Sequence, residues 1–111
     1  MCGILGYFFR ENYKLDEESF LKGLAKLERR GPDFNNYIIS TFDDRKLFLG
    51  HTRLSILELS ELGNQPYSDH NNALVFNGEI YNHNTLRNNL GFSNTFKSSS
   101  DTETLFYLLK N

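Results

Sequence analysis

Cysteine, positive charge and long apolar runs are all scarce in this 111-residue sequence. Its one cysteine, Cys2, excludes an intramolecular disulfide framework and a zinc site built from several cysteines. A formal net charge of −2 leaves no basic footprint for nucleic acid or anionic lipid. The sequence also shows no apolar segment suited to a membrane span and no signal-peptide pattern. We therefore expect a soluble protein in a reducing, cytoplasmic setting.

The residues that are present suit a small globular unit. Hydrophobic residues make up 39% of the chain, which is too many for intrinsic disorder and too few for a membrane protein. No internal repeat and no Pro/Gly-rich linker divides the sequence. At this length the chain is either one small domain or part of a larger one.

Hydrophobic spacing and capping signals predict a mixture of helices and strands. Asp16 is a suitable N-cap for an amphipathic helix over 17–30, and Ser100 with Glu103 fits a capping box. The predicted strands cover 2–9, 36–42, 46–50, 51–59 and 73–76, a loop covers 60–72, and further helices cover 85–90 and 102–110. Asp43-Asp44 is expected to turn a hairpin. Because strands and helices do not alternate regularly, the predicted class is α+β.

Cys2 is the first candidate for catalysis. Removal of Met1 would leave this residue with a thiol nucleophile and a free α-amine, which titrates near pH ~8 and can serve as the base. The alternative is an ordinary buried cysteine that begins an edge strand.

Asn77-Gly78-Glu79 is the second candidate. An asparagine side-chain amide and the N–H of the next residue supply two donors to a developing oxyanion, and glycine permits a close approach. The alternative is a type I′ hairpin turn, since Asn-Gly is a favoured dipeptide there.

Arg53 and Asp101 form the third candidate. The planar guanidinium of an arginine within a strand suits an α-carboxylate, and an aspartate can accept hydrogen bonds from an α-ammonium. Together they would describe a site for a free amino acid. The alternatives are a surface strand arginine and an aspartate favoured at a helix N-terminus. His51, His70 and His83 have no metal-ligand spacing, and Arg30-Gly31-Pro32-Asp33 is compatible with a simple helix stop and turn.

Six short runs occur together over the whole sequence. They are Cys2-Gly3-Ile4, Arg30-Gly31-Pro32-Asp33, His51-Thr52-Arg53-Leu54-Ser55-Ile56, Gln65-Pro66, Asn77-Gly78-Glu79-Ile80-Tyr81-Asn82 and Ser100-Asp101-Thr102-Glu103. In this order and spacing, the chain resembles the N-terminal glutaminase domain of class II glutamine amidotransferases, which are N-terminal-nucleophile hydrolases. Within that family it is most similar to the asparagine synthetase branch.

The resemblance implies a role for each matched residue. Cys2 would attack the side-chain amide of glutamine, and Asn77 with Gly78 would form the oxyanion hole. Arg53 would bind the substrate carboxylate, and Asp101 with Glu79 would bind the amino group. Backbone groups lining the pocket would come from Leu54, Ser55, Ile56 and Leu57.

The resemblance also implies a larger assembly. The family fold is a four-layer αββα sandwich, so residues 1–111 would be an incomplete N-terminal portion of the amidotransferase domain. Ammonia would pass to a synthetase domain, in cis or in trans, and ATP and Mg²⁺ would belong to that domain while the glutaminase half needs no cofactor. Independently of the resemblance, the apolar side chains of the last helix are expected to need a partner surface; they are Leu105, Phe106, Leu108 and Leu109. We therefore expect the chain to form a homo-oligomer, to bind a partner chain or to belong to a longer polypeptide. The other hypotheses are an inactive, truncated interaction module and a hydrolase for a different amide.

Overall fold

The computed structural model describes residues 1–56, 58–91 and 96–110, and these residues form helices and two separate antiparallel sheets. In chain order the elements are β1 (Gly3–Arg10), α1 (Glu17–Ala25), β2 (Phe34–Phe42), β3 (Arg45–Arg53), a 3-10 helix (Glu61–Gly63), β4 (Tyr67–Ser68), β5 (Ala73–Leu74), α2 (His83–Leu90) and α3 (Asp101–Lys110). The predicted α+β class is confirmed. Within the described ranges, no helix has the length and apolar character needed to cross a bilayer.

The larger sheet has the strand order β1-β3-β2, so its central strand pairs with both neighbours. The β2–β3 hairpin turns at the predicted place, where Asp43 has a φ angle of 52°. Strand β1 pairs antiparallel to β3, with Gly3 opposite Thr52. This register brings the start of β1 beside the end of β3, so that Cys2 lies next to the segment that follows Arg53.

Helix α1 covers one face of this sheet and builds the core. The side chain of Asp16 accepts a hydrogen bond from Ser19 N at 2.8 Å, which confirms the predicted N-cap. Phe20 and Leu24 face the sheet and form the buried core with Phe48. The rings of Phe20 and Phe48 meet edge to face at 5.3 Å, a favourable geometry for aromatic pairs.

The predicted helix over 17–30 ends earlier, at Ala25. From Lys26 onward, most backbone N–H groups donate to carbonyls three residues back, as Leu27 does to Leu24. The hydroxyl of Thr52 also donates to Leu27 O at 3.1 Å, which ties this turn to β3. The contact with the sheet therefore replaces the last helical turn.

Two predicted strands also differ from the structure. The expected strand over 51–59 does not exist as a unit, because pairing ends at Arg53 and the chain then leaves the sheet. The short strand over 73–76 is only Ala73–Leu74 and is not buried. It pairs with β4, which lies inside the predicted loop over 60–72.

The two C-terminal helices lie close to their predicted positions, but α3 exposes fewer apolar side chains than expected. Phe106 is buried against Tyr67, Leu105 and Leu108 are half-buried, and of the four expected residues Leu109 alone is exposed. Helix α2 ends at Gly91, whose φ of 69° is typical of a glycine C-cap. At the start of α3, Ser100 Oγ accepts from Thr102 N at 3.1 Å, but Glu103 binds the backbone of Lys97 and Ser98. The expected capping box is therefore only half correct, since Glu103 reaches past Ser100 to the preceding loop.

Candidate active site

A cleft of about 330 Å³ lies where the start of β1 and the end of β3 meet the start of α3. The predicted site residues that line it are Cys2, Arg53, Leu54, Ile56, Asn77, Gly78, Glu79 and Asp101. These residues come from distant parts of the sequence, and the strand pairing brings them together. The cleft thus brings together the thiol, the Asn77-Gly78 dipeptide and both charged groups, which the sequence analysis treats as separate candidates.

Two residues predicted for the pocket are not placed in it. Ser55 is not among the cleft-lining residues, and its backbone N–H donates to Asp33 Oδ2 at 2.7 Å. This bond occupies the backbone N–H of Ser55, although Leu54 and Ile56 on either side of it line the cleft. Leu57 lies outside the described residues.

Cys2 is half-buried, and its sulfur lies against Leu54. The backbone nitrogen of Leu54 donates to Sγ at 3.3 Å, and the carbonyl oxygen of Leu54 lies 3.7 Å from Sγ. The carbonyl of Cys2 accepts from Arg30 Nε at 3.2 Å. Both the thiol and the backbone of Cys2 are therefore held in place, while the exposed Met1 precedes it at the rim of the cleft.

The Arg30–Asp33 run does more than stop a helix. A Cβ at Gly31 would lie 2.3 Å from the carbonyl carbon and oxygen of Thr52, so only glycine allows the chain to pass this close to β3. The backbone N–H of Asp33 then donates to Arg53 O at 3.0 Å. The run therefore supports the end of β3, where the site begins, in addition to the helix stop and turn that the sequence predicts.

Arg53 lines the cleft and is 6% exposed, and its guanidinium is anchored by the loop that follows β3. Its Nη1 donates to Ser60 O and to Asn64 Oδ1, each at 2.7 Å. A Cβ at Gly63 would lie 2.3 Å from Nη2, so a side chain at this position would displace the group. A fixed, planar cation of this kind suits a bidentate carboxylate.

The Asn77-Gly78 dipeptide does not form a type I′ hairpin turn. That turn requires positive φ angles at both central residues, whereas Asp43 and Gly91 alone have positive φ in the described part of the chain. No described strand follows directly after Gly78. The dipeptide instead lies on the wall of the cleft together with Cys2, which favours the oxyanion interpretation.

Asp101 joins the segment after Asn77-Gly78 to the start of α3. It is 6% exposed, and its Oδ2 accepts from Ile80 N at 2.9 Å. The carboxylate therefore fixes the backbone that follows Glu79 while lining the same cleft. With Arg53 also present, the cleft contains charges of both signs, as a zwitterionic amino acid requires.

His51 is fully buried beside the site but does not line the cleft. Its Nε2 lies 3.3 Å from Phe76 O, and because a carbonyl only accepts, Nε2 carries the proton. Burial lowers the pKa of His51, and the positive charge of Arg53 adds to this effect. A neutral histidine therefore supports the backbone before Asn77. In the described part of the chain, no group of three or more His, Cys, Asp or Glu could hold a metal ion.

Glu58 is a cleft residue that the sequence analysis missed. Its carboxylate accepts from the backbone and hydroxyl of Ser60, and from the backbone and hydroxyl of Ser99 at 2.9 and 2.8 Å. Hydrogen bonds from Ser60 and Ser99 lower the pKa of Glu58 to about 2. Glu58 thus connects the segment after β3 to the loop before Asp101, across one side of the cleft.

Gln65 and Gly63 were also missed as site residues. The Gln65-Pro66 run is part of the resemblance, but the sequence pattern indicates no role for it. Nothing in the sequence pattern singles out Gly63 or Glu58, because their importance arises from contacts with residues far along the chain.

The arrangement can support nucleophilic attack on an amide. A thiol lies in the same cleft as the Asn77-Gly78 donors, which are of the kind that stabilise a tetrahedral oxyanion. Arg53 and Asp101 provide the charges that would orient an amino-acid substrate. These are the elements of an amidohydrolase that uses a cysteine nucleophile.

Comparison with known proteins identifies the class. A family model described as a glutamine amidotransferase domain matches residues 1–111, so the chain belongs to that family. The match covers every segment that contributes to the cleft.

Individual relatives carry a more specific name. A probable asparagine synthetase (glutamine-hydrolyzing) of Acanthamoeba polyphaga mimivirus is 41% identical over 109 residues, which cover 97% of this chain and 20% of the relative. Asparagine synthetase (glutamine-hydrolyzing) 1 of Bacillus subtilis (strain 168) is 39% identical, over 95% of this chain and 17% of its own length. A probable asparagine synthetase (glutamine-hydrolyzing) of Dictyostelium discoideum is 38% identical over 100% of this chain and 20% of its own length. The chain thus spans about a fifth of the length of these relatives.

Proposed function

We propose that this chain is the glutamine-hydrolysing part of an asparagine synthetase-like enzyme. The observation that carries the proposal is the convergence of Cys2, Arg53, Asn77 and Asp101 on one cleft. Membership of the glutamine amidotransferase family and the names of the relatives support the same substrate. The inactive interaction module is not favoured, because the cleft retains each of these four side chains.

The reaction begins at Cys2 once Met1 has been removed. The sulfur bonds to the side-chain carbonyl carbon of glutamine, and the α-amine of Cys2 accepts the thiol proton. That proton passes to the leaving nitrogen, the C–N bond breaks, and ammonia departs from a γ-glutamyl thioester. Water then adds to the thioester carbon, the C–S bond breaks, and glutamate and the thiol form. Each step needs a base and an acid of near-neutral pKa, as an α-amine provides.

Binding and transition-state stabilisation fall to the other cleft residues. Arg53 holds the α-carboxylate, and Asp101 with Glu79 holds the α-ammonium. Asn77 Nδ2 and the Gly78 N–H donate to the oxygen that becomes negatively charged in both tetrahedral intermediates. Leu54 and Ile56, which also line the cleft, complete the pocket around the substrate.

The scaffold we propose is the N-terminal portion of an αββα sandwich, with residues 1–111 as an incomplete amidotransferase domain. The sheet face opposite α1 supports this, because apolar side chains of the outer strand β1 and of the central strand β3 lie there. Phe8 is 59% exposed and Ile4 is 41% exposed on this face, and Leu47 and Leu49 of β3 lie beside them. A second sheet, from further chain or from a partner, would bury this face.

The ammonia requires an acceptor. We assign it to a synthetase portion, in cis or in trans, that activates a carboxylate with ATP and Mg²⁺. No glutaminase step described above uses either of them. Cytoplasmic location, and self-association through the exposed sheet face, belong to the same proposal.

Ammonia release from glutamine tests the proposal directly. The purified chain is first analysed by mass spectrometry to establish that Met1 has been removed. We expect glutamate and ammonia in equal amounts, no release by Cys2→Ala, and no release when an N-terminal extension blocks the α-amine. An unchanged circular dichroism spectrum for Cys2→Ala is the control for folding. Full activity in Cys2→Ala, or no activity in the processed chain with its synthetase partner, would contradict the proposal.

A further inference from the structure

The side chain of Gln65 binds both backbone polar groups of Phe76, the residue immediately before the Asn77-Gly78 dipeptide. Gln65 Oε1 accepts from Phe76 N at 2.6 Å, and Gln65 Nε2 donates to Phe76 O at 3.2 Å. This pair of bonds resembles one rung of a β-ladder, formed by a side-chain amide in place of a second strand. It holds Phe76 at a point where the described sheets do not reach it.

A third bond joins the same amide to α3. Gln65 Nε2 also donates to Thr102 Oγ1 at 3.1 Å. Because Phe76 N can only donate and Phe76 O can only accept, the positions of the amide oxygen and nitrogen are determined. Both Nε2 protons and Oε1 therefore have partners, and Gln65 is only 6% exposed.

The three bonds link the parts of the cleft that must act together. Phe76 precedes Asn77 and Gly78, and Thr102 follows Asp101. A shift of about 1 Å in a catalytic group costs on the order of 100-fold in rate. A buried amide that fixes both segments therefore controls the distance between the oxyanion donors and the substrate-binding carboxylate.

We propose that Gln65 is a positioning residue that directs the Asn77 and Gly78 donors at the developing oxyanion. This inference rests on the proposed glutaminase function and deepens it. Gln65 does not act on the substrate itself. Because the negative charge on this oxygen develops only after glutamine has bound, loss of the positioning lowers kcat and leaves glutamine binding by Arg53 and Asp101 nearly intact.

The first test replaces the amide by a side chain of similar length that forms no such bonds. For Gln65→Met we expect kcat to fall by about 10- to 100-fold and KM to change by less than about threefold. The matched control is Tyr67→Phe, which removes the hydroxyl that donates to buried Glu103 Oε1 at 3.0 Å. The control loses a hydrogen bond from the same region but does not touch Phe76, so its kcat should stay near the wild-type value.

A second variant makes the positioning depend on pH. In Gln65→Glu, a protonated carboxyl can still donate to Phe76 O and accept from Phe76 N, whereas an ionised one cannot donate. Burial should raise the pKa of the introduced carboxyl. We therefore expect the ratio of variant to wild-type kcat to fall as the pH rises from about 5 to about 8, and to remain flat for Gln65→Met.

Hydrogen exchange provides a readout that does not depend on activity. The Phe76 amide donates to Gln65 Oε1, so Gln65→Met should accelerate its exchange about tenfold or more while β1–β3 amides remain protected. Unchanged exchange at Phe76, or an equal loss of kcat in Gln65→Met and Tyr67→Phe, would overturn the inference. If the processed wild-type protein releases no ammonia, the proposed function fails by itself. The exchange result alone then decides whether Gln65 positions the Asn77-Gly78 dipeptide.

Discussion

The Nη1 atom of Arg53 donates to Oδ1 of Asn64 at 2.7 Å, and this bond orients the main cation of the cleft. The same nitrogen donates to Ser60 O at 2.7 Å. Both partners belong to the segment that surrounds the 3-10 helix after β3. The direction of the guanidinium is therefore set by a loop, although the arginine itself belongs to a strand.

Replacement of Arg53 by lysine should affect binding more than chemistry. The lysine ammonium is a point charge, whereas the planar guanidinium can bind both carboxylate oxygens at once. The hydrogen bonds to Ser60 O and Asn64 Oδ1 are weakened as well. We expect KM for glutamine to rise by about tenfold or more, with kcat within about threefold of wild type. Steady-state ammonia release measures both constants, and Arg29→Lys at an exposed position is the control. An unchanged KM would show that Arg53 does not hold the carboxylate.

Gly63→Ala tests whether space beside the guanidinium matters. The added Cβ would lie 2.3 Å from Arg53 Nη2 and 2.9 Å from Cζ, so the arginine must move. We expect a higher KM for glutamine and a loss of about 1–3 kcal/mol in the free energy of unfolding. At Gly6 the added Cβ would meet Leu49 Cδ2 at an ordinary 3.5 Å, so Gly6→Ala is the control. Equal effects of the two substitutions would contradict this explanation.

The stability that the Glu58 carboxylate contributes through its hydrogen bonds to Ser60 and Ser99 should be lost in acid. Hydrogen bonds from Ser60 and Ser99 lower the pKa of Glu58 in the folded protein to about 2, against an ordinary value of 4.5. A lowered folded-state pKa contributes stability above the unfolded-state value, and this contribution is lost as the pH falls from about 5 towards about 2. Wild type should therefore lose more stability than Glu58→Gln over this interval in urea titrations. Parallel curves for the two proteins would refute the role of the carboxylate, and Glu28→Gln, at an exposed position, provides the comparison.

Phe20 is the largest contributor to the small core. Its side chain is 0% exposed and packs against the rings of Tyr7 and Phe48 at 5.2 and 5.3 Å. Phe20→Ala should lower the free energy of unfolding by about 3–5 kcal/mol, which approaches the whole stability of a small domain. Phe8→Ala, at a position that is 59% exposed, should cost far less. Chemical denaturation of both variants checks the difference.

Local signals in the sequence predicted much of the secondary structure. The Asp16 cap, the Asp43-Asp44 turn and the Gly91 helix end each depend on residues within a few positions of one another. Such features survive in the folded protein because neighbouring residues alone determine them. The predicted thiol, guanidinium and carboxylate also share a cleft, as expected from the resemblance of the six runs to the family.

Contacts between distant residues produced the differences. The helix over 17–30 is shortened where the Thr52 hydroxyl binds Leu27 O, and the strand over 51–59 ends where Asp33 binds Ser55. Gln65 gained its importance from Phe76 and Thr102, which lie 11 and 37 residues away. Periodicity and propensity describe only the local chain, so they contain no information about these partners.

The strand order β1-β3-β2 has a consequence for the time course of folding. The β2–β3 hairpin closes a short loop. Pairing of β1 with β3 closes a much longer one, because Gly3 pairs with Thr52, 49 residues along the chain. Local contacts form sooner than distant ones, so we expect the hairpin to form first and β1 to join later. The thiol of Cys2 would then reach its position beside Leu54 only in this late step. Pulsed alkylation during refolding should accordingly find the thiol reactive after the hairpin amides are protected, and earlier protection of the thiol would contradict this order.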